Sequence, residues 1–435
     1  MNPMTGRLLV SQLKDHLGER VTVAGFAQAI RRQGGVVFLI LRDRSGMVQT
    51  LTFKSAGDIF TAIQEISIES VVKVTGELKE AGQAMNGFEI VIESVEVLSK
   101  AAPELPIPVV AQKGAEDVEF SKQLDWRWIT LRQPQNERIF EVWTALEAGF
   151  RDYCLEAGYL QIYTPAFLST ASETGSEVFE VKYFERKAYL AQSPQFHKQM
   201  AMAAGFERVF MTGPVFRAEP SFTSRHMTEF TGWDFEVSYI DDHFDVMAEE
   251  EKMMAAAFAR AHAAIENPEF DIPTLPFPKL TFAEAKAKLA AAGIPSAKPD
   301  DLSPEEERGL CNLIKEEHNH DFVFVTDYPI SIRPFYHMRH EDDPGLTKSF
   351  DLMYRGLEVT TGAQREHRLD VLERQAVEKG MSLEELSDYL SFFRYGCPPH
   401  GGAGLGPARF VRQMLNLANV KEATFLPRDV KRLTP

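Results

Sequence analysis

Five short runs rich in β-branched residues lie near the N-terminus of this sequence, and turn-forming pairs separate them. The runs cover residues 21–27, 36–43, 47–53, 70–78 and 88–98. The turns include Gly34-Gly35, Ser45-Gly46 and Asn86-Gly87, and a helix is expected near residues 56–66. Such strands predict a small closed β-barrel, since closure leaves no strand edge unpaired. The pattern fits a generic β-sandwich equally well, so both folds stay open.

The length of the chain and one proline-rich segment indicate how it divides into domains. With 435 residues, the protein is long enough for two or three domains. Three prolines within residues 100–108 predict a hinge. We therefore expect an α+β multidomain protein with a barrel at residues 1–103, a hinge at 104–130 and a larger domain at 131–435.

One amphipathic helix of the larger domain is especially clear. Its apolar residues recur at three- and four-residue spacing, and they are Ile139, Phe140, Trp143, Leu146, Phe150 and Tyr153. Gly158 is expected to end this helix. Other helices are predicted over 243–265, 302–317 and 382–395, and Ser382 with Glu385 resembles a capping box at the start of the last. Because β-rich segments separate these helices, we expect an antiparallel or mixed sheet with flanking helices.

The charge balance bears on which partners the protein binds. The formal net charge is −16 at pH 7. Nucleic-acid-binding proteins are usually basic, because contacts to phosphates supply much of their affinity. Composition alone therefore favours an enzyme that acts on small molecules over an RNA-binding protein.

The cysteines and the apolar runs indicate the compartment. Cys154, Cys311 and Cys397 lie far apart, which argues against a disulfide framework or a zinc site and fits a reducing cytoplasm. No apolar run approaches the roughly 20 residues needed to span a bilayer. The N-terminus carries charges where a signal peptide needs an apolar stretch. We expect a cytoplasmic protein without a membrane partner.

The segment FRAEPSFTSRHMTEFTGWDFE, at residues 216–236, carries the densest set of charges and aromatic rings. Arg217 and Glu219 share one face if the segment begins as a strand, and Arg225 with His226 would occupy a loop. An arginine, a basic loop and an aromatic ring suit a bent nucleoside triphosphate. The same charges would also fit a solvated hairpin with surface ion pairs.

Two later stretches are weak signals when each is taken alone. Asp351 and Glu358, in residues 349–367, are oxygen ligands of the kind that Mg²⁺ uses beside substrate phosphates, but an acidic pair taken alone favours plain surface charge. HGGAGLGPARFVRQML, at residues 400–415, is a glycine-rich run that opens a helix carrying Arg409. A helix N-terminus favours anions, yet this run is neither a Walker A loop nor a dinucleotide-binding fingerprint.

Taken together and in this order, these stretches resemble the signature motifs of class II aminoacyl-tRNA synthetases. The amphipathic helix followed by YLQIYTPAFL (159–168, with Pro165) resembles motif 1, FRAE…RHMTEF resembles motif 2, and GLGPAR resembles motif 3. The resemblance is sharpest to aspartyl-tRNA synthetases of the archaeal type and covers nearly the whole chain, from GFAQAIRRQGGVVFLILRDRSGMVQ to LPRDVKRLTP. The large insertion of bacterial-type enzymes between motifs 2 and 3 is absent. The resemblance implies an N-terminal OB-fold, a catalytic domain built on an antiparallel sheet, and a homodimer formed through the motif 1 helix.

The resemblance also implies an aspartate site within SPQFHK and its surroundings. Lys198 and Arg365 would hold the side-chain carboxylate, and Asp234 the α-ammonium. An arginine that pairs with a carboxylate rejects asparagine, because an amide leaves a desolvated charge uncompensated. The aspartate-binding set implied in full is Glu173 (in a mobile loop), Ser193, Gln195, Lys198, Arg217, Asp234, Thr361 and Arg365.

The implied reaction has two steps, in which aspartate and ATP give aspartyl-adenylate and tRNA then accepts the aspartyl group. Arg217, Glu358 and Arg409 are the implied catalytic residues, and Mg²⁺ is the implied cofactor. The ATP-binding set is Arg217, Glu219, Arg225, His226, Met227, Phe230, Glu358, Gly406 and Arg409. The metal ligands implied are Glu358, Thr361 and Asp351.

In the barrel, the resemblance assigns anticodon contacts to Phe38, Gln49 and Arg31, with Phe38 stacking on a base. The segment VVFLIL by itself favours Phe38 as plain barrel core. Enzymes restricted to tRNA-Asp carry a Trp and a Lys where this sequence has Gln28 and Met85. We therefore expect an enzyme that charges tRNA-Asn as well as tRNA-Asp and feeds an amidotransferase; the alternative is specificity for tRNA-Asp held elsewhere.

One motif departs from the family pattern, and several rival functions share some of these features. Motif 3 usually has an acidic residue before its arginine, and Ala408 stands there instead. An asparaginyl-tRNA synthetase shares the architecture, but Asp234 and RPFY at 333–336 are typical of the aspartate enzymes. The barrel residues argue against an amino-acid-activating paralogue without tRNA. A purely RNA-binding protein with a dead catalytic domain is disfavoured by the joint presence of Arg217, Glu358, Arg365 and Arg409.

Overall fold

The structure is a computed structural model that describes residues 6–110, 118–170, 178–221 and 223–435. It forms two compact units, Met1–Glu137 and Arg138–Pro435. The division falls after the end of the expected hinge at residue 130, and the bounds given above for the three segments stay a prediction. Among the described residues, no helix combines the length and the apolar character needed to cross a membrane.

The first unit contains a closed five-stranded barrel in the order β1-β2-β3-β5-β4. Its strands are β1 Arg20–Gln33, β2 Val36–Asp43, β3 Gly46–Phe53, β4 Val71–Glu80 and β5 Phe88–Ser99. All five predicted strands and the predicted helix (α1, Asp58–Gln64) are therefore present. The β-sandwich alternative is wrong, because β1 pairs with both β2 and β4 and closes the sheet.

Side chains alternate across the barrel wall, as the period of a strand requires. On β2, Val37, Leu39 and Leu41 are fully buried in the barrel core. Phe38 lies between them in sequence, so it points to the other face, where it is half-buried. The interpretation of Phe38 as barrel core is therefore wrong. Inward- and outward-facing residues of β2 could not be told apart from the sequence, because Ile40 on the outer face is also apolar and buried.

The second unit is built on an eight-stranded mixed sheet in the order β12-β13-β14-β15-β16-β11-β10-β6. All neighbours are antiparallel except β12 with β13 and β10 with β6. A separate three-stranded sheet has the order β7-β9-β8. The strands are β6 Leu160–Gln161, β7 Phe167–Leu168, β8 Glu180–Tyr183, β9 Arg186–Leu190, β10 Arg208–Phe216, β11 Glu229–Ser238, β12 Lys279–Thr281, β13 Phe322–Thr326, β14 Ser349–Tyr354, β15 Leu357–Arg365 and β16 His400–Leu405.

Helices flank this sheet, and the longest is the amphipathic helix expected from the sequence. Within it, Ile139, Leu146 and Phe150 are buried, and Phe150 stacks on Trp233 of β11 with 4.7 Å between ring centroids. Gly158 follows the helix with a φ of +80°, as a helix-ending glycine does. The helices after α1 are α2 Phe120–Asp125, α3 Arg127–Thr130, α4 Pro134–Glu156, α5 Gln195–Ala203, α6 His243–Ala264, α7 Phe282–Ala291, α8 Pro304–His318, α9 Leu369–Glu378, α10 Ser387–Arg394 and α11 Pro407–Met414.

Two local predictions about these helices were wrong in detail. Helix α10 begins at Ser387 rather than at residue 382, although Ser382 Oγ still accepts a hydrogen bond from the Glu385 amide at 3.4 Å. That bond closes a turn that precedes helix α10 and is not part of it. The glycine-rich run at 400–415 opens helix α11 only through its last glycine, Gly406, because residues 400–405 form strand β16 in the middle of the sheet.

Candidate active site

A cavity of about 360 Å³ opens over the central strands of the second unit. It lies against strands β10, β11, β15 and β16 and the first turns of helices α5 and α11. These elements bring together residues that are more than two hundred positions apart in the sequence, such as Ser193 and Arg409. The residues of the predicted site that line it are Ser193, Gln195, Lys198, Arg217, Glu219, Arg225, His226, Met227, Phe230, Asp234, Glu358, Thr361, Arg365, Gly406 and Arg409.

Two residues of the predicted site do not belong to this lining. Asp351 is buried on β14, where its Oδ2 accepts a hydrogen bond from Arg333 Nη2 at 2.7 Å. Its strand neighbour across the sheet is Thr361, so it lies beside the cavity rather than in its wall. Glu173 lies outside the described residues.

One end of the cavity holds a buried cluster of opposite charges. Lys198 Nζ, on α5, donates to Asp234 Oδ2 at 2.8 Å and lies 3.2 Å from Glu236 Oε2. Asp234 and Glu236 are two residues apart on β11, so both face the same side of the sheet. The ammonium also contacts the carbonyl of Ala403 at 3.2 Å. Each buried charge thus has a partner, as burial in a low-dielectric interior requires.

Arg365 completes this cluster from the end of β15. Its Nε donates to Glu236 Oε1 at 3.1 Å, and its Nη2 donates to the carbonyl of Gly402 at 2.8 Å. Its Nη1 lies 2.9 Å from His337 Nε2. These contacts fix the plane of the guanidinium. A guanidinium has five N–H donors, and these contacts use three of them, which leaves two for a bound carboxylate.

The charges of this cluster shift the pKa values of its neighbours. Burial opposes ionisation of Glu236, but the charges of Arg365 and Lys198 outweigh burial and hold its pKa below the ordinary value. Burial, with the positive charge of Arg365 second, lowers the pKa of His337 well below its ordinary value. His337 is therefore neutral, and its Nε2 accepts a hydrogen bond from Arg365.

The other end of the cavity is lined by the loop between β10 and β11. The loop closes because the Arg217 amide donates to the Thr228 carbonyl at 2.9 Å, just beyond the last strand pair. The Arg217 guanidinium lies over the Phe230 ring, 5.5 Å from its centroid. This arrangement gives the cavity an aromatic face beside a cation, which suits a nucleobase and a phosphate.

Arg409 and His226 add positive and polar groups at this end. Arg409, in the first turn of α11, donates from Nη1 to the Glu358 carbonyl at 2.9 Å and lies 3.3 Å from Glu358 Oε1. His226 Nδ1 contacts Thr223 Oγ1 at 2.7 Å. Burial, followed by the charge of Arg409, lowers the pKa of His226. Because α11 begins at the cavity, the positive end of its helix dipole also favours an anion there.

Oxygen donors suitable for a divalent cation lie between the two ends. The Thr361 hydroxyl donates to Glu358 Oε1 at 3.3 Å, and both side chains line the cavity. Among the described residues, no group of three or more His, Cys, Asp or Glu side chains could hold a metal ion unaided. A cation here would therefore take its remaining ligands from water and substrate oxygens, which is how Mg²⁺ binds nucleotide phosphates.

Several residues of this site were not predicted from the sequence. Glu236 and His337 both contact Arg365, and Glu307 forms an ion pair with Arg225. A signal for Glu236 existed, because it follows Asp234 by two residues in a predicted strand and must share its face. The tertiary fold places His337 in the cavity wall and Glu307 behind Arg225, and the sequence carries no local pattern that assigns them there.

The predicted anticodon residues lie in the barrel of the first unit. Arg31 on β1 pairs directly with Phe38 on β2, and Phe38 pairs with Leu51 on β3, two residues from Gln49. Arg31, Phe38 and Gln49 therefore share one outer face of three neighbouring strands.

The two barrel positions expected to set tRNA specificity differ in their surroundings. Gln28 Oε1 accepts from Arg42 Nη1 at 2.8 Å, and Arg42 also pairs with the buried Glu69. Met85 lies in the turn between β4 and β5 and is 49% exposed. Gln28 is thus fixed by the barrel, whereas Met85 is available to a partner.

Comparison with known proteins assigns both units to described families. Residues 119–430 match the family of class II tRNA synthetases (D, K and N), and residues 21–98 match the OB-fold nucleic acid binding domain. The chain is 42% identical to the aspartate–tRNA(Asp/Asn) ligase of Aeropyrum pernix, with 98% of each chain covered. It is 40% identical to the aspartate–tRNA(Asp) ligase of Thermococcus kodakarensis, again over 98% of each.

Solved structures show the same architecture. The asparaginyl-tRNA synthetase of Pyrococcus horikoshii, complexed with asparaginyl-adenylate, is similar with a TM-score of 0.90 and 32% identity, covering 99% of this chain and 100% of that one. The aspartyl-tRNA synthetase of Entamoeba histolytica gives a TM-score of 0.86 at 32% identity, covering 99% and 94%. With a family match over most of its length and relatives aligned nearly end to end, the chain belongs to the class II tRNA synthetases.

Proposed function

We propose that the protein activates aspartate with ATP and transfers the aspartyl group to tRNA. The observation that carries this proposal is the buried cluster in which Arg365 and Lys198 face one end of the cavity. Two cations held rigidly at that end suit a substrate with a second carboxylate. The curated relatives described above, which share about 40% of their residues with this chain, are named as aspartate ligases.

The same cluster supports aspartate over asparagine. Both remaining N–H donors of Arg365 would bond to carboxylate oxygens of aspartate. The side-chain amide nitrogen of asparagine would instead place its own N–H groups against those of Arg365, where no hydrogen bond can form. Removing the negative charge would also leave Arg365 desolvated without full compensation. The structural likeness to an asparaginyl enzyme concerns the fold, and the amino acid is selected by these few side chains.

The first step is an in-line displacement at the α-phosphorus of ATP. An oxygen of the aspartate α-carboxylate forms a bond to phosphorus, and the bond from phosphorus to the pyrophosphate oxygen breaks. Arg217 would stabilise the charge that develops on the α-phosphate, and Phe230 would stack on the adenine. Arg409, His226 and Arg225 line the cavity where the pyrophosphate end would lie.

A divalent cation, which we take to be Mg²⁺, fits the donor set of this site. Glu358 and Thr361 would hold it, and Asp351 would support Thr361 from the adjacent strand. When bound, the cation neutralises charge on the phosphates of ATP.

Asp234 would hold the α-ammonium of aspartate, and Ser193 and Gln195 line the same part of the cavity. Glu173 is retained as a predicted contact of the amino acid.

In the second step, a ribose hydroxyl of the tRNA terminal adenosine attacks the acyl carbon of the adenylate, and AMP leaves. We propose that both tRNA-Asp and tRNA-Asn are substrates. Gln28 and Met85 supply neither the Trp nor the Lys expected of an enzyme restricted to tRNA-Asp. Two curated relatives, from Aeropyrum pernix and Methanopyrus kandleri, carry names that include both tRNAs. Aspartyl-tRNA-Asn would then need an amidotransferase to become usable.

We also propose that two copies associate through helix α4. A groove of about 750 Å³ runs along this helix and is lined by apolar side chains that include Phe140, Trp143 and Phe425. Phe425 is 60% exposed, so burial against a second copy would remove a large apolar surface from water.

The decisive experiment measures two activities of the purified protein. Aspartate-dependent exchange between pyrophosphate and ATP, without RNA, tests the first step. Charging of separately transcribed tRNA-Asp and tRNA-Asn with labelled aspartate tests the second, and asparagine is the control substrate. We expect exchange with aspartate alone and comparable aspartylation of both tRNAs.

Each contrary result points to a different part of the proposal. Charging of tRNA-Asp only would overturn the role given to Gln28 and Met85 while leaving the aspartate assignment intact. Exchange or charging with asparagine would overturn the role of Arg365. Absence of exchange with either amino acid would overturn the proposed activity itself.

A further inference from the structure

Glu307 forms a close ion pair with Arg225 in the loop between β10 and β11. Arg225 Nη1 donates to Glu307 Oε1 at 3.0 Å, and Arg225 Nη2 donates to Glu307 Oε2. The Glu307 side chain is 6% exposed and that of Arg225 is 17% exposed. Such a paired geometry orients the guanidinium in its plane as well as attracting it.

Glu307 also connects this arginine to the strand that carries Glu358. Glu307 Oε2 accepts a hydrogen bond from the Glu358 amide at 3.0 Å. One carboxylate therefore joins a cation of the loop to the start of β15. Both Arg225 and Glu358 line the cavity, whereas Glu307 lies behind them. Its position is that of a support, which touches the groups around the substrate rather than the substrate.

The capping pattern of helix α8 explains why Glu307 faces the loop. Ser303 and Glu306 form a capping box at the N-terminus of α8, and Glu306 also pairs with Lys286. Glu305 stays exposed. Of the three acidic residues in this first turn, the third is turned toward the cavity by the helical period, where Arg225 supplies the opposite charge.

The pairing leaves Arg225 able to bind a substrate anion. A guanidinium has five N–H donors, and the contact with Glu307 uses two of them. The remaining donors, on Nε and on the far side of each Nη, stay free of Glu307. A loop arginine has many rotamers, and holding it in one of them lowers the entropy lost when a phosphate binds.

We propose that Glu307 is a positioning residue for ATP, which pre-orients Arg225 toward the terminal phosphates and couples the loop to Glu358. This inference rests on the proposed function for the identity of the nucleotide, and it adds a residue of helix α8 to the machinery. It assigns to Glu307 an effect on ATP that is separate from aspartate binding, because Glu307 has no contact with Lys198 or Arg365.

The test compares Glu307→Gln with Glu305→Gln, which makes the same change on the exposed side of the same turn. In aspartate-dependent pyrophosphate exchange, Glu307→Gln should raise KM for ATP roughly tenfold, the scale of one charge-assisted hydrogen bond. KM for aspartate should be unchanged, and Glu305→Gln should match the parent protein. An unchanged or lower KM for ATP in Glu307→Gln would overturn the proposal.

A second variant and a binding measurement separate positioning from general damage. In an Arg225→Gln background, adding Glu307→Gln should raise KM for ATP much less than it does in the parent protein, because the arginine that Glu307 positions is already gone and only the contact with the Glu358 amide remains. Additive effects would overturn the proposal. If Glu307→Gln melts at a lower temperature, Glu307→Asp, which keeps the charge, should show a smaller rise in KM than Glu307→Gln.

Calorimetric titration with ATP and Mg²⁺ alone distinguishes this inference from the proposed function. It does not depend on aspartate or tRNA. Weaker binding of ATP by Glu307→Gln than by Glu305→Gln supports the inference even if exchange with aspartate is absent. Equal binding by the two variants overturns it even if the aspartate activity is demonstrated.

Discussion

At the scale of single residues, the site is held together by buried charges that have partners. Lys198, Asp234, Glu236 and Arg365 form one cluster in which every charge contacts an opposite charge. Such clusters contribute little net stability, because desolvation offsets much of the attraction. Such a cluster fixes the positions of its side chains instead. Any rearrangement that separated one member from its partners would leave an uncompensated buried charge, which is costly.

Glu250 on α6 is a buried carboxyl group in a different situation. It is fully buried, and burial raises its pKa to about 8, with the Thr360 hydroxyl opposing the shift and the charges of Glu251 and Asp351 adding to it. The native protein therefore keeps a proton on Glu250 at neutral pH that the unfolded chain releases above its ordinary pKa of 4.5. The free energy of unfolding must fall, through this group, as pH rises from about 4.5 to about 8.

We predict that Glu250→Gln, which mimics the protonated group, becomes increasingly more stable than the parent as pH rises. The gain should grow between pH 5 and pH 8, by at most about 1.4 kcal/mol for each unit by which the pKa is raised. Urea unfolding midpoints at several pH values would measure it. Glu316→Gln, an exposed glutamate, is the control and should show no such trend.

A stability difference between Glu250→Gln and the parent that is constant with pH would contradict this prediction. It would mean that Glu250 is ionised in the native protein. A loss of stability at every pH would mean that the amide of glutamine finds no room or no partner beside Thr360.

At the scale of elements, strand β16 decides how closely the central sheet is packed. Two of its glycines, Gly401 and Gly402, lie where neighbouring strands and side chains leave no space for a Cβ. A Cβ at Gly402 would lie 2.1 Å from the Phe235 carbonyl oxygen and 2.2 Å from Glu236 Oε2. The run therefore serves mainly to bring β11 and β16 together, and Gly402 also supplies the carbonyl that accepts from Arg365.

We predict that Gly402→Ala lowers the melting temperature strongly and abolishes exchange activity, since both β11 and the Glu236 carboxylate must move. The expected loss of stability is roughly 1–3 kcal/mol, as for other overpacked interiors. Gly232→Ala is the matched control on β11, because its nearest contacts would be 3.6 Å away. Scanning calorimetry of the two variants would measure the difference, and equal melting temperatures would contradict the prediction.

Local patterns in this sequence predicted its elements, whereas contacts made only in the folded chain could not be predicted. All five barrel strands were predicted, because β-branched runs and glycine turns are local. The glycine run was only partly understood, since a strand made of HGGAGL lacks the side chains that mark a strand. Most cavity residues followed from the resemblance. Glu307 and His337 could not be found, because only the folded chain brings them to Arg225 and Arg365.

At the scale of the whole molecule, the net charge of −16 restricts how RNA can be bound. The overall charge repels phosphates, so any attraction to them must come from local basic positions. Binding must therefore depend on a few specific contacts, and base stacking is one that does not need a basic surface. Phe38, beside Arg31 and on the same face as Gln49, offers such a contact on the first unit.

We predict that Phe38→Ala separates the two steps of the reaction. Pyrophosphate exchange without RNA should be unchanged, because the cavity lies wholly within the second unit. The kcat/KM for charging tRNA should fall roughly tenfold or more, since a stacked base contributes about 1–3 kcal/mol. Leu98→Ala, an exposed apolar position on β5 of the same barrel, should leave both activities intact. A charging rate unaffected by Phe38→Ala would mean that the outer face of β2 does not bind the anticodon, and a joint loss of exchange and charging would mean that the barrel is needed for the catalytic unit itself.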